Sequence, residues 1–157
     1  MSGDTGPPPL RPFGLVLHHD GRFSHEGFPI ANRRLREHFE RSVEYLSAER
    51  KFIVRLRHFR GEIEVEEAGF FVRSIDLETG GIGLSDGRHE ILDASTLSLS
   101  PIDGAILCRI RCDTLAGGLL ARFSHSTQAE FLQAIEDRED GLHVIIGGRA
   151  IPCPGLE

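Results

Sequence analysis

The stretch Leu15-Val16-Leu17-His18-His19-Asp20-Gly21-Arg22-Phe23-Ser24-His25 decides the fold, because its last four residues recur as Arg122-Phe123-Ser124-His125. In the first copy an Asp-Gly pair separates two short runs of strand-forming residues. Asp-Gly is a two-residue hairpin signal, since both central positions take positive φ. That register sets His25 opposite Val16, so His18 and His25 share a face. Gly27 and Pro29 then break the strand. Over residues 32–46 the apolar positions Leu35, Phe39, Val43 and Leu46 step along one helical face. Asn32 is the expected N-cap. Arg33 and Glu37, Arg36 and Glu40, and Glu37 and Arg41 stand one turn apart on the other side.

Beyond the helix the period changes to two. Phe52, Val54 and Leu56 alternate with Ile53, Arg55 and Arg57; after His58-Phe59-Arg60-Gly61, Ile63 and Val65 alternate with Glu62, Glu64 and Glu66. A loop at 58–61 sets Arg57 opposite Glu62, Arg55 opposite Glu64, Leu56 opposite Ile63 and Val54 opposite Val65. Residues 70–75 are apolar on both faces and read as a central strand. Gly80-Gly81 is a turn, Asp86-Gly87 closes a short hairpin, and residues 92–101 connect the two halves. Ile106, Cys108, Ile110 and Cys112 then alternate with Leu107, Arg109 and Arg111, which places both cysteines on the buried face. Residues 119–123 form a further strand. Thr127 and Glu130 have capping-box spacing and open a helix through Phe131, Leu132 and Ile135. Val144-Ile145-Ile146, a Gly147-Gly148 turn and Ala150-Ile151 complete the chain.

Residues 14–67 and 105–153 therefore share the order strand, strand, helix, strand, strand. The expected fold is α+β, with largely antiparallel sheets, two helices and a duplicated strand-strand-helix-strand-strand unit. The expected division is a flexible tail over 1–12, an N-terminal subdomain over 13–97 and a C-terminal subdomain over 98–157. Of the 157 residues 39% are apolar and 27% charged, the balance of a globular chain rather than a disordered one. No apolar run reaches the roughly 18 residues of a spanning helix, and the start lacks a signal core, so a cytoplasmic protein is expected. Three cysteines cannot form a disulfide scaffold.

Several stretches resemble a bacterial family called domain of unknown function 1285. Asp20-Gly21-Arg22-Phe23-Ser24-His25-Glu26-Gly27-Phe28-Pro29-Ile30, with Leu35 and Phe39, is similar to its opening motif. Val65-Glu66-Glu67-Ala68-Gly69-Phe70 resembles its Val-Glu-acidic-Ala-Pro-aromatic segment. Leu119-Leu120-Ala121-Arg122-Phe123-Ser124-His125 with Glu130 resembles its strand-to-helix segment, and Gly147-Gly148 its terminal turn. The likeness runs from about residue 13 to 153 in one order. The departures are Phe23 where Trp is usual, Gly69 where Pro is usual and His125 where Arg is usual. The resemblance implies an α+β fold with repeated elements and a ligand-sensing or signalling role. It implies no reaction.

The residues themselves point to a binding or regulatory module without catalysis, whose partner is a small anionic ligand or another protein. The candidate ligand-binding residues are Arg22, His25, Glu26, Glu67, Arg122 and His125. The two Arg-Phe-Ser-His segments end strands close to helix N-termini, where free N–H groups favour an anion. The first is the stronger candidate, because Thr127 and Glu130 take up donors in the second while Pro29 and the longer approach to Asn32 leave more backbone available; Gly27 must bend the chain for Arg22 and His25 to converge. A hydrolase-like enzyme using His25 with Glu26 or Glu67 is the alternative. Glu66 and Glu67 are neighbours on a strand and point to opposite faces; Glu66 reads as a solvated or ion-paired residue.

His18, His19, Asp20, His25 and Glu26 form the densest set of metal-ligand types, but without a His-Glu-x-x-His helix or paired cysteines. No metal or cofactor is expected. Residues 33–60 hold nine of the 18 basic residues. Glutamates opposite or beside those arginines, and a net charge of −6, argue against nucleic acid or a membrane surface.

Overall fold

The computed structural model describes residues 10–55 and 60–157. Its contacts divide the chain into two units, one ending at Glu67 and the other spanning Ala68–Glu157. The expected boundary after residue 97 lies inside the second unit. Residues 92–101 are not a connection between halves: they carry a 3-10 turn, Ala94–Thr96, and an edge strand of that unit's own sheet. Of the expected tail, residues 1–9 lie outside the described residues, and Leu10 already begins a strand. No helix among the described residues is long and apolar enough to cross a membrane.

The first unit runs β1 (Leu10–Leu17), β2 (Phe23–His25), β3 (Phe28–Pro29), α1 (Arg33–Ser42), β4 (Val43–Leu46), β5 (Lys51–Arg55) and β6 (Arg60–Val65). Its sheet has the order β3-β2-β1-β6-β5-β4, parallel only between β1 and β6. The β1–β2 hairpin forms at Asp20-Gly21, but its loop has three residues. Gly21 sits at φ 92° and the chain closes through His18 N–H to the Arg22 carbonyl, 2.8 Å. A turn followed by a left-handed glycine makes such a loop. The register moves by one residue, to Leu17 opposite Phe23 and Leu15 opposite His25. A shift of one reverses every face, so His18 and His25 point to opposite sides. Burial selects this register, because Leu15, Leu17 and Phe23 are all buried by it.

Asn32 caps α1 as expected, its side chain accepting from Leu35 N–H at 3.0 Å. Arg33 and Glu37 pair at 2.9 Å. The helix ends at Ser42 rather than continuing to Leu46. Ser42 Oγ donates to the His38 carbonyl, 2.7 Å, and Val43 turns extended. Val43 is still buried, but as a strand residue, and Leu46 falls on the other face of β4, half-buried opposite Lys51. Phe39 is buried against Phe13 and Phe23, whereas Leu35 in the first turn is exposed.

The expected β5–β6 register is corrected by four residues. Ile53 lies opposite Glu62, Val54 opposite Gly61 and Arg55 opposite Arg60. Leu56 and Arg57 lie outside the described residues. Arg55 pairs with Glu44 at 2.7 Å and Lys51 with Glu62 at 3.2 Å. A cross-strand charge pair contributes about 0.2–1 kcal/mol, while burying a valine contributes about 1.5–3 kcal/mol. Buried Val54 lies in one apolar row, with Val43 opposite it on β4 and Gly61 opposite it on β6. Gly61 completes that row, because a Cβ there would meet Phe13 Cβ at 2.9 Å.

The second unit contains β7 (Phe70–Ile75), β8 (Gly81–Leu84), β9 (His89–Ile91), β10 (Ser98–Leu99), β11 (Ile106–Ile110), β12 (Leu119–Phe123), α2 (His125–Leu132), β13 (Ile135–Arg138), β14 (Gly141–Ile146) and β15 (Arg149–Pro152). Its six-stranded sheet has the order β10-β11-β12-β7-β8-β9, with β12 and β7 parallel; β13-β14-β15 form a separate antiparallel sheet. β7 is central, as its sequence indicates, and the Asp86-Gly87 and Gly147-Gly148 turns form. α2 is capped by Ser124, three residues before the expected cap at Thr127. Ser124 Oγ accepts from Thr127 N–H at 3.4 Å, and Thr127 is buried. Ile135 belongs to β13 instead of the helix. Phe131 packs edge-on against Phe123, 5.2 Å between ring centres.

The fold is thus α+β with two helices and mostly antiparallel sheets. The strand-strand-helix-strand order recurs, but the pairings do not: β4 to β6 join the sheet of β1, whereas β13 to β15 leave the sheet of β12.

Candidate functional site

In the first unit the expected ligand residues scatter around the β1–β2 hairpin. Arg22 is tied to its own turn: its Nε donates to Asp20 Oδ2 at 2.7 Å and its backbone N–H to Oδ1 at 3.2 Å. Burial pushes the Asp20 carboxyl up, but these bonds and the Arg22 charge outweigh it and hold the group below its ordinary value. His25 lies on the opposite face, its ring 5.3 Å from that of Phe13. Glu26, at φ 51°, donates its backbone N–H to the Gly14 carbonyl at 3.0 Å. Gly14 sits at φ 69°, a conformation that favours glycine, and the Glu26 carboxylate lies where a Cβ there would point. His25 Nε2 stands 4.0 Å from Glu26 Oε1.

Glu66, rather than Glu67, is the carboxylate with a histidine setting. His18 Nδ1 donates to it at 3.2 Å and His19 Nδ1 donates to its other oxygen. The His18 hydrogen bond, then that of His19 and the charge on both rings, outweigh burial and hold the Glu66 carboxyl below its ordinary value. His18 Nε2 shares a hydrogen bond with Ser24 Oγ, 2.9 Å. Among the described residues no group of three or more His, Cys, Asp or Glu side chains could hold a metal ion. Glu67 is half-buried beyond the end of β6.

In the second unit Arg122 is a structural residue. It pairs through two nitrogens with Asp103, one bond at 3.0 Å, and its side chain is 12% exposed. His125 is exposed in the first turn of α2.

A concavity of about 490 Å³ in this unit is lined by residues to which the sequence assigned no such role. Strands β9 and β11 are separated by β12, β7 and β8 in sheet order, yet the sheet coils until they meet. β11 ends at Ile110, and Arg111 follows at φ 56°. This left-handed turn breaks the alternation, so Cys112 is exposed instead of buried with Cys108. Burial, with Glu90 and Cys112 adding, pushes the Cys108 thiol up to about 12. A non-glycine residue in this conformation costs of order 1–3 kcal/mol and persists where its surroundings over-determine it. Here they do. The Arg111 N–H donates to Glu90 Oε1 at 3.2 Å, its guanidinium donates to buried Asp86 and its charge lies 4.5 Å above the Phe70 ring.

Around this fixed arginine stand Arg88, His89 and Arg109. Arg109 donates through Nη1 to the Gly117 carbonyl, 3.1 Å, and Arg88 Nε is 3.7 Å from Asp86. Each guanidinium has five N–H donors, more than these contacts use. Neither this concavity nor a smaller one of about 270 Å³ at the β1 bulge is lined by His25, Glu67 or Arg122. Strand alternation marks Arg109 and Arg111 only as outward residues. The Asp86-Gly87 turn was a visible signal, but nothing local brings it to the end of β11.

No protein-family model matches the sequence, and no curated protein does. Two solved structures match the fold. One is a DUF1285 family protein from Silicibacter pomeroyi DSS-3, with TM-score 0.63 and 14% identity, covering 93% of this chain and 82% of that one. The other is a DUF1285 family protein from Shewanella baltica OS155, with TM-score 0.50 and 11% identity, covering 76% and 91%. The chain has the α+β fold of DUF1285 family proteins, the family its motifs resemble.

Proposed function

We propose that the protein is a non-catalytic, regulatory ligand-binding module, and that its ligand is a small molecule bearing an anionic group, seated in the concavity between β9 and the end of β11. The observation that carries this reading is Arg111, held in a strained conformation by Glu90, Asp86 and Phe70. A wall fixed before the ligand arrives lowers the ordering cost of binding. The volume lies within the range of about 300–1,000 Å³ usual for small-molecule sites. Arg88, Arg109 and His89 supply donors for an anion beside it.

A thermal-shift screen of metabolites, nucleotides and divalent metals tests the proposal. A ligand selective for the native state at a hundred times its Kd adds about 2.7 kcal/mol of stability. The expected hit is an anion whose shift disappears in Arg109→Ala and survives in the Arg22→Ala, His25→Ala double variant. The reverse pattern moves the site to the first hairpin. Turnover of the hit during incubation replaces a binding module with an enzyme.

A further inference from the structure

We infer that the ligand of this concavity is zwitterionic, a free α-amino acid or a molecule with the same paired carboxylate and ammonium groups. The inference rests on the binding site proposed above and specifies its chemistry. The lining carries Arg88, Arg109 and Arg111 against Glu90, Asp93 and Asp113, and Asp86 pairs with Arg111 and Arg88 beside it, so the arginine charge is already offset in full. A phosphate ester would bring excess negative charge beside three carboxylates, whereas a ligand with one group of each sign leaves the balance intact. Like charges brought together in such a site disfavour the wrong ligand.

The internal hydrogen bonds then separate the groups that build the wall from those that face a ligand. Arg111 is engaged by Asp86 and Phe70, Glu90 accepts the Arg111 N–H, and Asp93 Oδ1 accepts from the Ser95 backbone and hydroxyl at 3.0 and 2.6 Å. Arg88, 3.7 Å from Asp86, and Arg109, bonded once to the Gly117 carbonyl, keep further N–H donors for a carboxylate. Asp113, exposed in the turn after β11, remains for an ammonium. Ile91, 66% exposed on the lining, offers apolar surface to the ligand's side chain.

Calorimetric titration of the full chain with free L-α-amino acids, their des-amino carboxylates, the matching primary amines and phenyl phosphate tests the inference. At least one amino acid is expected to bind, and to lose about tenfold in affinity when either charged group is removed. In Asp113→Asn that amino acid and its des-amino carboxylate should bind equally. Asp113 lies in an exposed turn, so the variant should fold as wild type does, which circular dichroism checks. If des-amino carboxylates or phenyl phosphate bind wild type as tightly as any amino acid, and Arg109→Ala abolishes this, the anion site stands and the zwitterion is overturned. If no compound of the four classes binds, both the zwitterion and the proposed site fall.

Discussion

The two Arg-Phe-Ser-His segments are identical in sequence and nearly opposite in use. Their phenylalanines agree: Phe23 and Phe123 are each 2% exposed and each belongs to a core. Their other residues diverge. Ser24 lies within β2 and bonds His18, whereas Ser124 caps α2. Arg22 holds an aspartate two residues away on an exposed turn; Arg122 holds Asp103, distant in sequence, with most of its surface covered. The residues that follow explain much of this. Glu26-Gly27 turns the first copy back into β3, while Ser126-Thr127-Gln128 continues the second into a helix. The elements after the helices diverge as well. In the first unit β6 runs parallel beside β1, the strand before the tetrapeptide; in the second β7 runs parallel beside β12, the strand that carries it, and β13 to β15 pair with one another. A repeated tetrapeptide preserves a core anchor and leaves its polar neighbours to be decided by context.

The shared anchor predicts the largest effect. Phe23→Ala and Phe123→Ala should each cost about 3–5 kcal/mol in urea denaturation, and a loss below 1 kcal/mol at either would break the equivalence. The arginines should separate next. Arg122→Ala should cost about 1–2 kcal/mol, since it removes two charge-assisted bonds from a largely covered side chain, while Arg22→Ala stays within about 0.5 kcal/mol. Equal losses would show that burial does not distinguish them.

The serines give a smaller contrast. Ser124→Ala should cost about 1 kcal/mol and Ser124→Asp should recover most of it, because aspartate also caps helices. Ser24→Ala, with no helix to cap, should cost about 0.5 kcal/mol. The smallest effect is a pH dependence peculiar to the first hairpin. Glu66 titrates below the ordinary 4.5 when folded, so its contribution is complete above that value and disappears as pH falls through the lower folded value. In a carboxyl-resolved NMR titration, the His18→Ala, His19→Ala double variant should return Glu66 toward 4.5. An unchanged midpoint would remove the histidines as the cause.

Much of this molecule was legible in order. The α1 cap at Asn32, the buried Phe39, the central β7 and the glycine turns follow from local rules that a few neighbouring residues satisfy by themselves. The α+β class follows from the alternation of those elements. Register was less legible. Adjacent pairings differ locally by small charge terms, and the rows of buried side chains that settle them, Leu17 with Phe23 or Val43 with Val54, come from separate strands. The end of the buried pattern at Ile110 was hidden too, because alternation alone carries on to Cys112 unless Arg111 turns the chain.

The sequence by itself determined the α+β class, the presence of both helices and the turns at Asp20-Gly21, Asp86-Gly87 and Gly147-Gly148, since propensity, capping and turn chemistry act over a few residues. Only the tertiary structure decided the parallel pairs β1–β6 and β12–β7 and the meeting of β9 with the end of β11. Those depend on which surfaces are buried together and on how far a sheet coils, and both are properties of the assembled strands. The candidate site belongs to this second class. Arg111 is held by Asp86 and Glu90 from another hairpin, so its strain and its use arise only when distant strands close around it.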